Sequence, residues 1–319
     1  MKILHLEFDE YPTTSIEKLQ EFAQVISYRV ESEEELIEYL KSNQFDVIFT
    51  RIGLFISEKL MISQNNLKYI VTSTTGLNHI DTDAANILGI KIISLKGETE
   101  FLNNIKSTAE HTWTLLLCLI RNILPATEDV IKNGGWNRIP FLADELNGKT
   151  IGIIGFGRLG KIISSYAKAF GMQILITEKN PEKVSIEFET VQLSNLLNRS
   201  DFVCLMIDYS LENVGFMSKE CFSAMKKGAY FVNTSRGELV DQNALIDFLE
   251  NGRLKGAALD VVDGDSGWAN EYSGDQRLLE YARLNRNLII TPHMGGYGKT
   301  SIYKTREFIV NKFINNINN

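Results

Sequence analysis

The chain has 319 residues, enough for two domains at about 150 residues each, and its 44% hydrophobic and 23% charged content excludes a disordered or low-complexity protein. Lys+Arg 33 against Asp+Glu 40 leaves a net charge of −7. No nucleic acid or anionic membrane is therefore expected as a partner, while a small anion can still be held by a few local cations.

The start, Met1 to Glu10, turns acidic too soon for a secretion signal. The longest helical apolar stretch, 113–120, is far short of a membrane span. Cys118, Cys204 and Cys221 are scattered among apolar residues with no Cys-x-x-Cys. They read as buried free thiols of a reducing, cytoplasmic compartment.

In chain order, 2–6, 25–30, 46–50, 69–72 and 91–94 read as strands, with helices at 15–23, 32–41 and 81–88 between them. Ser32-Glu33-Glu34-Glu35 forms a capping box, and Asp81 and Gly89 bracket the third helix. Such alternation predicts a parallel sheet with helices on both faces. A long helix is expected from about 107 to 131, with Pro125 as its breaking point. A second series then follows, with strands at 150–154, 173–177, 202–206, 230–233, 256–259 and 288–291. Its helices fall at 159–170, 194–198, 219–225 and 241–251, and 300–317 forms one amphipathic C-terminal helix. The fold class is therefore α/β.

Gly155-Phe156-Gly157-Arg158-Leu159-Gly160 is a Gly-x-Gly-x-x-Gly between a strand and a helix, the context that a dinucleotide-binding turn requires. Gly155 permits the turn, Gly157 lets backbone approach a pyrophosphate, and Gly160 lets helix and strand pack closely. Arg158 and Leu159 open the helix, whose N-terminus faces the anion. Glu178 ends the next strand, where a carboxylate grips an adenosine ribose hydroxyl and repels a 2′-phosphate, favouring NAD over NADP. Lys179 beside it softens that preference.

Among the four histidines, His5 reads as a packed residue within a strand, His79 as a loop residue, and His111 as a hydrogen-bonded helix-face residue. His293, in Thr291-Pro292-His293-Met294-Gly295-Gly296, follows a strand at the carboxyl edge where α/β sheets place ligands. It is the candidate acid/base. Arg236 also follows a strand, either as a bidentate carboxylate ligand or as a surface arginine. Asp260, Asp263 and Asp265 can orient a histidine; they lack metal-ligand spacing, and no metal is expected.

Together these motifs resemble the D-isomer-specific 2-hydroxyacid dehydrogenases. The likeness runs from about Tyr69 to about Gly296, through Lys106-Ser107-Thr108-Ala109-Glu110-His111, the fingerprint, Asn233-Thr234-Ser235-Arg236-Gly237, Ala257-Ala258-Leu259-Asp260-Val261 and Thr291-Pro292-His293. The resemblance implies two Rossmann-like domains. An NAD-binding, doubly wound parallel sheet (106–294) would be inserted into a smaller flavodoxin-like substrate domain (1–105 plus 295–319). It implies hydride transfer between NAD(H) and a small D-2-hydroxy acid or its 2-keto partner, with Arg236 on the substrate carboxylate and His293 as general acid/base. Thr108, Thr234 and Asp260 would join the fingerprint and Glu178 on the cofactor. Thr75 and Gly76, in the loop from Ser73 to Asn78, would hold the substrate carboxylate, with Arg51 as a further anion contact or merely an exposed arginine.

Two positions depart from the family pattern. Asp265 stands five residues after Asp260 where a glutamate is usual, one methylene shorter, with Asp263 a poorer substitute. Asp208 lies where a His-x-Pro-Leu type sequence normally runs along the cofactor. The stretch 263–286, containing Gly267-Trp268, is longer than usual and suggests a lid or partner contact. The long helix and the Trp136 region resemble a dimerisation surface, so a homodimer is expected. A non-enzymatic, corepressor-like NAD-binding regulator and an amino-acid dehydrogenase are the alternative readings.

Overall fold

Two parallel sheets organise the chain in a computed structural model, which describes residues 1–265 and 274–318. By their internal packing the residues form two units. The first takes Met1–Ile105 and, from Gly298 onward, the C-terminal helix; the second takes Lys106–Asp265 and 274–297. Residues 295–297, expected with the first unit, pack with the second.

In the first unit, β1 (Lys2–His5), β2 (Gln24–Ser27), β3 (Val47–Phe49), β4 (Tyr69–Val71) and β5 (Lys91–Ile93) pair in parallel in the order β2-β1-β3-β4-β5. This is a flavodoxin-like order. Both faces of the sheet are covered, which is why its strands are apolar runs rather than alternating ones. Leu4, Ile48 and Ile70 pack on one face, against Leu36 and Leu40 of α2 (Glu33–Lys41), which follows α1 (Thr13–Phe22). Ile3, Val47, Phe49 and Val71 pack on the other, against Ile309, Val310 and Phe313 of the C-terminal helix (Lys299–Asn318).

Ser32 Oγ accepts the Glu35 N–H at 3.2 Å as the N-cap of α2, while Glu35 Oε2 reaches back to the Glu31 N–H at 3.0 Å. A short α3 (Glu58–Ile62), missed by the sequence pattern, precedes α4 (Thr82–Ile87), capped by Asp81 as expected. The unit's last short helix is α5 (Thr99–Leu102).

The second unit starts with α6 (Ser107–Ile120) and α7 (Ile123–Asn133). The long helix does break, though not at Pro125. Asn122 is left-handed (φ 52°), and Pro125 sits in the first turn of α7, where its missing N–H costs no helical bond. The strands are β6 (Thr150–Ile154), β7 (Gln173–Thr177), β8 (Glu189–Thr190), β9 (Phe202–Leu205), β10 (Ala229–Asn233), β11 (Leu254–Leu259) and β12 (Leu288–Ile290). Their order, β12-β11-β10-β9-β6-β7-β8, is that of a doubly wound dinucleotide fold, with β6 and β9 at the topological switch point. Its helices are α8 (Arg158–Ala169), α9 (Leu193–Arg199), α10 (Lys219–Ala224), α11 (Gln242–Glu250) and α12 (Gln276–Leu284). Helix α12 falls within the stretch 263–286, for which the sequence suggests a lid or partner contact and no helix. Asp275 starts it, accepting the Arg277 and Leu278 N–H groups, and Leu278 and Tyr281 are its buried residues. Gly267 and Trp268 lie outside the described residues.

Candidate active site

The fingerprint turn lies at the switch point of the seven-stranded sheet. Gly155 is left-handed (φ 94°), and a Cβ there would stand 2.7 Å from Met206 O at the end of β9. A Cβ on Gly160 would stand 2.3 Å from Gly155 O, so only glycine allows α8 to approach the strand this closely. At Gly157, the residue before α8, nothing lies within 4 Å of a Cβ position, leaving the exposed backbone open to a ligand. Arg158 and Leu159 are half-buried in the first turn. Glu178 braces the turn, its carboxylate accepting the Phe156 N–H at 2.7 Å and the Asn180 N–H at 3.2 Å. A preformed loop with open backbone, a helix N-terminus and a fixed carboxylate fits a dinucleotide.

Three further strand ends bring together the other candidates of this unit. After β10, Asn233 Oδ1 accepts the Ser235 N–H and its amide donates to Arg236 O, both at 2.9 Å, fixing the turn that presents Arg236. Arg236 is half-buried and donates through Nη1 to Ser235 O at 2.6 Å. Gly237 meets the backbone after β11 so tightly that a Cβ would stand 1.9 Å from the Val262 carbonyl carbon. Thr234 is buried and hydrogen-bonded to Thr112 at 2.7 Å. Thr112 in turn donates to Thr108 O, which ties this strand end to α6.

After β11 and β12, Asp265 and His293 meet. His293 Nδ1 lies 3.0 Å from Asp265 Oδ2, both side chains mostly buried. The shorter acid therefore reaches, while the Asp263 backbone N–H turns to Gln242. His293 is left-handed (φ 50°), a strained conformation for a residue with a Cβ. Its N–H is held by Asp260 O at 2.8 Å and Thr291 O at 2.9 Å.

Asp260, expected on the cofactor, has its carboxylate engaged by the protein. Oδ1 accepts from Thr291 Oγ1 (2.6 Å) and the Met294 N–H (2.9 Å), with His111 Nε2 at 3.0 Å, and Oδ2 accepts the Gly295 N–H at 2.7 Å. Burial pushes this carboxyl up, but the donors from His111, Thr291 and Gly295 outweigh it and hold it below the usual range. His111, read as a helix-face residue, thus anchors the His293 loop.

In the first unit, Thr75 is exposed in the loop after β4 and Gly76 half-buried, while the Thr74 hydroxyl donates to Gly76 O at 2.7 Å. Arg51 is half-buried after β3, with Nη2 3.8 Å from Glu31. Glu7, Tyr11 and Arg306 form a buried polar cluster there that the sequence reading missed. Arg306 interrupts the apolar stripe of the C-terminal helix, and that was its available signal. Among the described residues no group of three His, Cys, Asp or Glu is placed to hold a metal, and no helix is long and apolar enough to cross a membrane.

Residues 113–295 match the model of the D-isomer specific 2-hydroxyacid dehydrogenase, NAD binding domain. D-3-phosphoglycerate dehydrogenase of Bacillus subtilis is 31% identical over 285 residues, 88% of this chain and 50% of that protein. The chain spans about half the length of the first such relatives. The D-specific alpha-keto acid dehydrogenase of Enterococcus faecium is 34% identical over 258 residues, covering 78% of this chain and 75% of that one. Among solved structures, D-lactate dehydrogenase from Aquifex aeolicus, complexed with NAD and lactic acid, superposes with a TM-score of 0.81 at 27% identity. That match covers 100% of this chain and 96% of the other. With a doubly wound unit carrying the fingerprint and a flavodoxin-like unit beside it in sequence, the chain belongs to the D-isomer-specific 2-hydroxyacid dehydrogenase family, and its second unit is that family's NAD-binding domain.

Proposed function

We propose that the protein is an NAD(H)-dependent oxidoreductase interconverting a small D-2-hydroxy acid and its 2-keto partner. The observation that carries this reading is the His293–Asp265 pair at 3.0 Å, held on strained backbone at a strand end. A carboxylate on Nδ1 fixes the ring's orientation and tautomer and leaves Nε2 as the nitrogen for proton exchange.

NAD(H), when bound, supplies or accepts the hydride at C2 of the substrate. The protein's part is to bind, orient and move the proton. In reduction, protonated His293 donates to the oxygen of C2 as it becomes an alkoxide, and Asp265 stabilises the cationic ring beforehand. Arg236 takes the substrate carboxylate and polarises the carbonyl. Thr75 and Gly76 offer backbone donors to the same carboxylate, and Arg51 adds positive potential. Gly155, Gly157, Arg158, Leu159 and Gly160 cradle the pyrophosphate, Glu178 takes the ribose hydroxyls, and Thr108 and Thr234 shape the cofactor's far end. Asp260 serves that end through the loop it organises.

We place the protein in the cytoplasm on its three free cysteines. We also propose a homodimer, because α7 and the segment after it expose Ile131, Ile139, Trp136 (90% exposed) and Leu142 (90%) together. Oxidation of NADH by a panel of 2-keto acids tests the activity. Turnover with at least one supports it, whereas tight NADH binding without turnover of any supports a regulator.

A further inference from the structure

His79, which reads from the sequence as a loop residue, begins a series of three hydrogen bonds in the loop after β4. Its Nε2 lies 3.1 Å from Thr72 Oγ1, Thr72 Oγ1 lies 3.0 Å from Thr74 Oγ1, and Thr74 Oγ1 donates to Gly76 O at 2.7 Å. Every member belongs to the first unit. The last bond fixes the direction of the others, because a hydroxyl has a single hydrogen to donate. Thr74 spends its hydrogen on Gly76 O, so Thr72 donates to Thr74. Thr72 then has none left for the histidine, so His79 Nε2 carries a hydrogen and donates it to Thr72. Thr72 is 1% exposed, and solvent cannot readily replace either of its partners.

The backbone of the segment is pinned around this series. His79 O accepts the Ile56 N–H at 2.9 Å, Ile56 O accepts the Asp81 N–H at 3.0 Å, and Thr74 O accepts the Leu95 N–H at 2.9 Å. The segment is thus tied to the loop after β3 and to the end of β5. Its tip is shaped by the Thr74–Gly76 bond and by the Ile80 N–H donating to Leu77 O at 2.9 Å. Across a planar trans peptide, holding Gly76 O on Thr74 turns the Leu77 N–H the other way. Among the described residues no protein group accepts the N–H of Thr75, Gly76, Leu77 or Asn78. Successive unspent N–H groups in a turn at the carboxyl edge of a parallel sheet form an anion-binding concavity.

We propose that His79 is the positioning residue of this concavity. Through Thr72 and Thr74 it holds the Gly76 carbonyl, and so keeps the neighbouring N–H groups aimed at a carboxylate. This rests on the 2-keto acid reading above, in which Thr75 and Gly76 take the substrate carboxylate. It adds Leu77 as a third backbone donor and His79 as the group that sets all three. The carboxylate carries the same charge in the 2-keto and the 2-hydroxy acid, so its binding is uniform along the reaction. A loosened tip therefore raises KM rather than lowering kcat.

The test measures kcat and KM with NADH for pyruvate or hydroxypyruvate, whichever is reduced faster, and for its uncharged methyl ester. Wild type is compared with His79→Leu, His79→Gln, Thr72→Val and the double variant of His79→Leu with Thr72→Val. His79→Leu, which has no donor, should raise KM for the acid by about fivefold or more with kcat within about twofold. It should narrow the preference for the acid over the ester by the same factor. His79→Gln restores an N–H donor and should recover most of the loss. Thr72→Val keeps the shape but breaks the series at its middle, and the double variant should be no worse than either single one. Nitrogen NMR of histidine-labelled protein at about pH 8 should show the hydrogen of His79 on Nε2, the signal being assigned by its absence in His79→Gln. An active His79→Leu with unchanged KM and unchanged ester preference overturns the proposal alone. So does full additivity in the double variant, or an Nε2 without hydrogen. Failure of every 2-keto acid to oxidise NADH in wild type removes this proposal together with the reading beneath it.

Discussion

Asp265 Oδ2 lies 3.0 Å from Nδ1 of His293, and the same carboxylate oxygen lies 3.3 Å from the Val262 N–H. The acid is thus fixed to its own loop while it orients the histidine. Asp265→Asn should lower kcat by about 10² to 10³-fold with KM changed far less, because the amide can stabilise the wrong tautomer. Asp265→Glu should stay within about tenfold of wild type. Steady-state kinetics of the two variants check this, and an active Asn variant would remove Asp265 from the mechanism.

Glu178 has two tasks that different substitutions separate. Glu178→Gln keeps an acceptor for the Phe156 N–H but loses the charge that opposes a 2′-phosphate. The preference for NADH over NADPH should narrow by about tenfold. Glu178→Ala should weaken both cofactors, since the turn loses its brace. Cofactor titration by fluorescence measures both ratios, and an unmoved preference in the Gln variant would place the ribose elsewhere.

Asp260→Ala should destabilise the protein by about 3 kcal/mol or more, because several donors lose one buried acceptor together. The Thr291 hydroxyl and the N–H groups of Met294 and Gly295 are among them. Thermal unfolding measures the loss. A near-neutral change would mean that the His293 loop is held by other means.

Burial, aided by Arg306, lowers the pKa of His5 from 6.5 to about 3. A group whose folded pKa is depressed contributes stability above its unfolded pKa and loses it as pH falls. His5 therefore costs stability below pH 6.5, at up to about 1.4 kcal/mol per pH unit. Glu7 runs the other way. Its folded pKa is raised from 4.5 to about 7, so its contribution is full below pH 4.5 and lost as pH rises through 7. Urea midpoints of wild type and His5→Gln at pH 7.5, 6 and 5 isolate the histidine, and the gap between them should shift in favour of the variant as pH falls. Parallel curves would contradict the burial argument.

Much of this architecture was legible in the residues, for physical reasons. Parallel strands buried on both faces write unbroken apolar runs, and a dinucleotide turn requires glycine at Gly155 and Gly160, where a Cβ would collide with backbone. Strand-end positions marked Arg236 and His293. What stayed hidden depends on contacts distant in sequence. The break at Asn122 is a left-handed residue with no glycine to announce it, and proline drew attention three residues too far on. The tie between His111 and Asp260, and the Glu7–Arg306 pair 299 residues apart in sequence, have no local signature. Helix α12 was obscured because only Leu278 and Tyr281 of its nine residues are buried, too sparse an apolar pattern to announce a helix.

The measurement that bears most directly on the account is NADH oxidation by a 2-keto acid in wild type and His293→Ala, with NADH affinity determined for both. Wild type should turn over, and the variant should bind NADH with unchanged affinity while kcat falls by about 10³-fold or more. A variant that keeps the wild-type rate, or a wild type that binds NADH tightly and reduces no 2-keto acid, would contradict the assignment of His293 and the oxidoreductase reading.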